Sequence, residues 1–206
     1  MGTVHTLPRR AKRGEPTWGI AEFFPAQGNW SEEEYLALDT NRLVEFTDGY
    51  LEVLPMPTTS HHRIVRYLFE LMRAFISAAN AGEVMFAGVR VRLGPGVHRE
   101  PDLVFMLAEH AARVGEDCWE GADLVMEVVS GGTEDRGRDL RRKRLEYAAA
   151  GIPEYWIVDP KRGQITVLRL ANGKYTVHGE FKRGTRATSA LLNGFAVDVA
   201  AALSAK

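Results

Sequence analysis

The chain reads as a single α/β (α+β) domain, and three observations carry that reading. An Asp48-Gly49 pair joins two alternating apolar runs, a long amphipathic helix follows, and short apolar runs then alternate with helical stretches. The 206 residues are 45% hydrophobic and 26% charged, the balance of a globular protein large enough to bury a core. Residues 1–29 carry Arg9, Arg10, Lys12 and Arg13, three prolines and no periodicity, so a flexible basic tail is expected there. The ordered domain is expected to span 30–202.

The elements follow in order. Ser31 and Glu34 have the spacing of a capping box and open a short helix, with Trp30 placed to pack on Tyr35. Residues 43–47 and 50–54 form a hairpin, because Asp-Gly suits a tight turn that requires positive φ. Pro55 and Pro57 end it. Thr58 to Ser60 then cap a helix from about His61 to Ala79, with Ile64, Leu68, Leu71, Met72 and Phe75 on one face. Gly82 stops that helix, and Val89, Val91 and Leu93 alternate with Arg90 and Arg92 as a half-exposed strand.

After the Gly94-Pro95-Gly96 turn, apolar runs at 103–106 and 124–129 read as strands, with a looser helical stretch between them. Residues 133–150 read as a helix that Gly151 and Pro153 end. Tyr155 to Val158 is a buried strand. Residues 164–170 and 174–178 form a hairpin through Ala171-Asn172-Gly173, and a short apolar helix closes the chain near Ala202. The expected architecture is a mixed β-sheet flanked by helices, with an N-terminal hairpin and a C-terminal β extension.

Composition excludes several classes. The net charge of −1 means that nucleic-acid affinity must come from local patches. A single cysteine, Cys118, rules out an internal disulfide and a cysteine-based zinc cluster. No run reaches the roughly 18 apolar residues of a membrane span, and the N-terminus lacks an apolar signal core. A cytoplasmic protein with no membrane partner is expected. No phosphate-binding loop follows Gly96, and no organic cofactor is called for.

Glu127 lies inside the run Leu124-Val-Met-Glu-Val-Val129, and a lone buried carboxylate costs several kcal/mol unless it is compensated. Asp102, after Pro101, opens the other apolar run. If the two strands pair, both carboxylates reach one end of the sheet, where magnesium or manganese would take oxygen ligands for phosphodiester hydrolysis. Read singly, Asp102 is equally a turn residue after proline, and Glu127 equally the ion-pair partner of Arg90 or Arg92. Lys143 could place an ammonium at the scissile phosphate, or could belong to a solvated face with Arg138, Arg141, Arg142 and Arg144. That basic helix and the Lys/Arg-rich stretch 161–186 are the candidate DNA contacts, Arg138, Arg141 and Arg142 in particular. His61 and His62 could meet the site or a phosphate, but the expected arrangement is one packed and one solvated.

Pro101-Asp102, Glu127-Val-Val-Ser130, Asp139-x-x-x-Lys143-x-x-x-Tyr147 and Gly151-Ile-Pro-Glu-Tyr-Trp-Ile-Val-Asp159 together resemble the Uma-two family of the PD-(D/E)XK nuclease superfamily. Glu45-Phe-Thr-Asp48-Gly49 resembles the same family's hairpin. The resemblance covers about residues 30–202. It implies a restriction-endonuclease-like fold and a Mg2+- or Mn2+-dependent endonuclease acting on DNA. Asp102 and Glu127 would hold the metal, with the Val128 carbonyl as a further ligand and Glu45 binding or orienting the ion. The superfamily's usual lysine position holds Val129 here, and the resemblance points to Lys143 in its place. Gly131-Gly132-Thr133 stands where the family often has Pro-Ser-Thr. Cutting both strands of a duplex is a reason to expect a homodimer, although no residue marks an interface. The alternative is a catalytically silent scaffold of the same fold that binds nucleic acid or protein.

Overall fold

The computed structural model describes residues 24–129 and 133–206, with backbone alone over 133–139. The basic run at 9–13 and the Gly131-Gly132 substitution lie outside the described residues. Helix α1 (Glu32–Leu36) carries the expected capping box, with Ser31 and Glu34 each bonding the other's backbone. Strands β1 (Val44–Thr47) and β2 (Tyr50–Val53) pair antiparallel around Asp48 and Gly49, whose φ values of 46° and 84° fit a tight hairpin turn. At Gly49 a side chain is barred twice over, since a Cβ would also sit 2.6 Å from the Gly28 carbonyl oxygen.

Helix α2 (Thr59–Ala79) begins where the Thr58 hydroxyl accepts from the His61 N–H, and ends at Asn80 in the left-handed region. The chain continues through β3 (Gly82–Phe86), β4 (Val91–Gly94), β5 (Val97–Arg99) and β6 (Leu103–Leu107). A 3-10 turn (Ala108–Arg113) occupies the loosely helical stretch, followed by β7 (Trp119–Glu120) and β8 (Leu124–Val128). Then come α3 (Thr133–Ala149), β9 (Glu154–Asp159), β10 (Gln164–Ala171), β11 (Lys174–Lys182), β12 (Arg186–Thr188), β13 (Ala196–Asp198) and α4 (Val199–Leu203).

The described strands form a six-stranded mixed sheet in the order β11-β10-β9-β8-β6-β3 and a five-stranded sheet in the order β2-β1-β5-β4-β7, with β12 and β13 paired apart. Alternation along β8 fixes the layers. Leu124, Met126 and Val128 join Leu68, Met72 and Ile76 of α2 in one core. Val125 points the other way, into a core with Tyr147 of α3 and Tyr155 of β9. Glu127 has the parity of Val125 and therefore faces α3.

Several strands depart from expectation, β7 and β12 among them. β3 and β5 fall in segments that sequence reading left unassigned, and β5 joins the hairpin to the second sheet through β1. His98 and Arg99 of β5 are each only 1% exposed, so its polar composition hides a buried strand. Glu32 locks α1 onto this sheet by accepting from Gly96 N–H at 2.8 Å and from His98 Nε2 at 3.2 Å, with Arg92 at 3.4 Å. The Gly96 N–H pulls the Glu32 carboxyl below its usual pKa of 4.5, desolvation opposes it as the next largest effect, and His98 and Arg92 add to the lowering. A carboxylate depressed in the fold contributes stability above the unfolded pKa and loses it as pH falls through the folded one. Glu32→Gln is therefore expected to lower the melting temperature at pH 7, with the difference from wild type shrinking steadily as pH falls below 4.5. Melting curves across pH 3–7 check this.

Candidate active site

β6 and β8 pair antiparallel with Leu103 opposite Met126, which brings Asp102 and Glu127 to the same end of the sheet. Asp102 Oδ2 accepts from the Val128 N–H at 2.7 Å, tying the aspartate across the strand boundary. The same oxygen lies 3.1 Å from His61 Nε2. Helical spacing on α3 puts Lys143 and Tyr147 on the face toward β8. Lys143 Nζ donates to Glu127 Oε1 at 2.9 Å, and the Tyr147 hydroxyl donates to that same oxygen at 2.7 Å. Lys143 is 5% exposed and Glu127 8%, so this ion pair is desolvated.

Glu45 of β1 completes the cluster from the second sheet. Its Oε1 lies 3.1 Å from Lys143 Nζ and its Oε2 3.5 Å from Arg99 Nε. Arg99 is itself anchored by two bonds to Glu146 at 2.6 and 2.9 Å and by donation to the Phe46 carbonyl. Two carboxylates thus share one lysine, with an arginine behind them.

Burial pushes the Glu127 carboxyl up, the Lys143 ammonium opposes this, and the nearby Asp102 and Glu45 charges reinforce it. Burial works against a charged His61, yet Asp102 outweighs it and the imidazole is raised overall, with the Val128 backbone and Glu127 adding to the rise. Glu100 is pushed up to about 7, mainly by burial, although the Val44 N–H and Arg90 favour its anion.

A cleft of about 120 Å³ opens at this point, lined by His61, Glu100, Asp102, Glu127, Val128 and Lys143 among others. Asp102, Glu127 and Lys143, singled out from sequence, are therefore together. Glu127 pairs with Lys143 and not with Arg90 or Arg92, which bond the Leu36 carbonyl and Glu32 respectively. Glu45 is beside the cluster but does not line the cleft, and both its oxygens face cations. Among the described residues no three His, Cys, Asp or Glu side chains are grouped so as to hold a metal ion. Three carboxylates line the cleft, Glu100, Asp102 and Glu127, together with the Val128 backbone, and such oxygen donors suit magnesium or manganese, which keep several waters.

The expected DNA contacts fare differently. Arg141 is exposed, while Arg142 reaches Glu52 at 3.0 Å and Glu45 at 3.8 Å and is thus engaged with acidic neighbours. The Arg138 side chain lies outside the described residues. Sequence reading weighed His61 as a member of the site but favoured a packed histidine, and it missed Glu100 and the Tyr147 hydroxyl. A signal for His61 existed, since residues 61, 64, 65, 68, 72 and 76 share the buried stripe of α2. The motif Gly-Ile-Pro-Glu-Tyr-Trp proves architectural at its glutamate. Glu154 is fully buried and accepts from Trp156 Nε1, the Ser189 hydroxyl and the Ala190 and Leu191 N–H groups.

The fold is a restriction-endonuclease-like mixed sheet flanked by helices, and two carboxylates and a lysine converge at one end of it. The chain belongs to the Uma2 family, described as "putative restriction endonuclease", whose profile matches residues 32–200. Among solved structures it is similar to a "putative nuclease belonging to DUF820" from Anabaena variabilis. The TM-score is 0.68 at 16% identity, over 87% of this chain and 99% of that one, which is a likeness of fold. No curated protein matches it. Among the described residues no helix is long and apolar enough to cross a membrane.

Proposed function

We propose that the protein is a magnesium- or manganese-dependent endonuclease that hydrolyses phosphodiester bonds in DNA, with Asp102, Glu127 and Lys143 as its catalytic residues. The observation that carries this reading is the Lys143 ammonium buried 2.9 Å from Glu127, in a cleft that Asp102 also lines. A fold gains little from burying such groups, because apolar residues of similar volume are commonly as stabilising. A silent binding scaffold has no need of them, whereas a phosphodiesterase does.

When bound, the divalent ion supplies charge neutralisation at the phosphate and an acidified water. Asp102, Glu127 and the Val128 carbonyl would hold it. The Val128 N–H fixes Asp102, and Tyr147 fixes Glu127 by engaging Oε1 rather than Oε2. Lys143 would present its ammonium to the non-bridging oxygens as charge grows on phosphorus. Glu45 would act on Lys143 and not on the ion, holding the ammonium in place between two carboxylates.

Calorimetric titration with manganese, run alongside cleavage of labelled DNA, tests these assignments. Wild type is expected to bind and cleave. Asp102→Asn is expected to lose about tenfold or more in manganese affinity, and Glu45→Gln to stay within about threefold of wild type. Equal losses in the two variants would make Glu45 a ligand, and no binding by wild type would contradict metal dependence.

A further inference from the structure

We propose that this site takes its DNA as an unpaired strand, with one base lodged in an apolar cavity beside Asp102 and a neighbouring phosphate held in a basic cavity on the other side of His61. The proposal rests on the nuclease reading above and adds the form of the substrate.

Three cavities meet at His61, which lines all of them. The central one is the catalytic cleft. The second, of about 190 Å³, is walled by Leu43, Leu54, Met56, Pro57 and Val65, with Asn41 and His62 as polar lining and Asp102 at its boundary with the cleft. The third, of about 440 Å³, runs along the first turn of α2 and is lined by Thr58, Ser60, Arg63 and Lys161.

This sequence of surfaces fits a nucleotide chain. A base has flat apolar faces and hydrogen-bonding edges. The second cavity offers aliphatic walls for the faces, and the Asn41 amide and His62 imidazole for the edges. Met56 is 66% exposed at its wall, a large apolar side chain left to water unless something covers it. A phosphate displaced one step from the cleft meets Arg63, Lys161, the Ser60 hydroxyl and the N-terminus of a 21-residue helix. His61 supplies an independent pointer to a ligand. It is 8% exposed and its Nε2 lies on Asp102, yet its Nδ1 has no partner among the described residues. In a duplex the base would have to be unpaired and unstacked before entering, which an unpaired strand avoids.

Fluorescence anisotropy with wild-type protein tests this, once in calcium and once in EDTA. The probes are a labelled 12-nucleotide single strand, the same strand with one abasic position moved along it, and a blunt duplex of equal length. The single strand is expected to bind about tenfold or more tighter than the duplex, and an abasic site at one register to cost about tenfold. Met56→Asp, on an exposed side chain, is expected to weaken single-strand binding similarly with an unchanged melting temperature. Duplex binding as tight as single-strand binding, indifference to every abasic position, or no binding of either DNA overturns the proposal. Base-dependent single-strand binding without cleavage in manganese would instead leave this inference standing and remove the nuclease reading. Efficient duplex cleavage with no strand preference would do the reverse.

Discussion

Glu127→Gln is expected to lower the rate of DNA cleavage by about a thousandfold or more while leaving the protein folded. The amide keeps the shape of the carboxylate and an oxygen for Tyr147 and Lys143, but removes the anion needed to hold a divalent ion. Burial already disfavours that anion and Lys143 keeps Glu45 as its partner, so its loss is expected to leave the melting temperature within a few degrees of wild type. Lys143→Ala is a poorer probe. It strips the cation from Glu127 and Glu45 together, and breaking a buried ion pair from one side costs about 3–5 kcal/mol. Its loss of activity would be confounded with loss of fold. Single-turnover cleavage with Glu127→Gln, accompanied by thermal melts, separates the two effects. Wild-type rates in that variant would remove Glu127 from the mechanism.

A large effect on stability is expected at Glu154, far from any chemistry. Its two oxygens accept four hydrogen bonds, and the Ala190 and Leu191 donors lie some 36 residues along the chain. The carboxylate thereby ties β9 to the turn before β13, beneath which Leu192 and Phe195 pack against Trp156. Glu154→Ala leaves the buried Trp156 Nε1 without an acceptor and removes three half-buried bonds, although the Leu191 N–H keeps the Ser189 hydroxyl, at a cost of about 3 kcal/mol. For a chain of this size that is a fall of roughly 10 °C in melting temperature. Differential scanning calorimetry measures it, and a shift of a degree or two would mean that water or a rearranged turn replaces the carboxylate.

Local rules made much of this fold legible. Asp-Gly specified the hairpin because both turn residues need positive φ, and the stripe Ile64, Leu68, Met72 specified α2 because period 3.6 is hard to mistake over 21 residues. Asp102 stood out at the start of an apolar run and Glu127 within one, and the two strands pair so that both acids lie at one end of the sheet. What stayed hidden depends on partners distant in sequence. Arg99 reads as a surface residue until Glu45 and Glu146, about 50 residues away on either side, enclose it. β5, made of Val97, His98 and Arg99, has no apolar alternation to announce it, because ion pairs rather than hydrophobic burial hold its side chains. Lys143 is a candidate from the residues alone, but choosing it over a solvated face rests on resemblance. Helical spacing alone cannot say which of several basic residues on α3 turns inward.

The most direct measurement of the central claim, a metal-dependent endonuclease acting on unpaired DNA, uses wild-type protein and a circular single-stranded DNA, which has no ends for an exonuclease to attack. The account predicts conversion to linear DNA in manganese or magnesium, abolished by chelator and restored when the metal is returned in excess. Circles that stay intact at high protein concentration with either metal, or that open equally well in chelator, would contradict it.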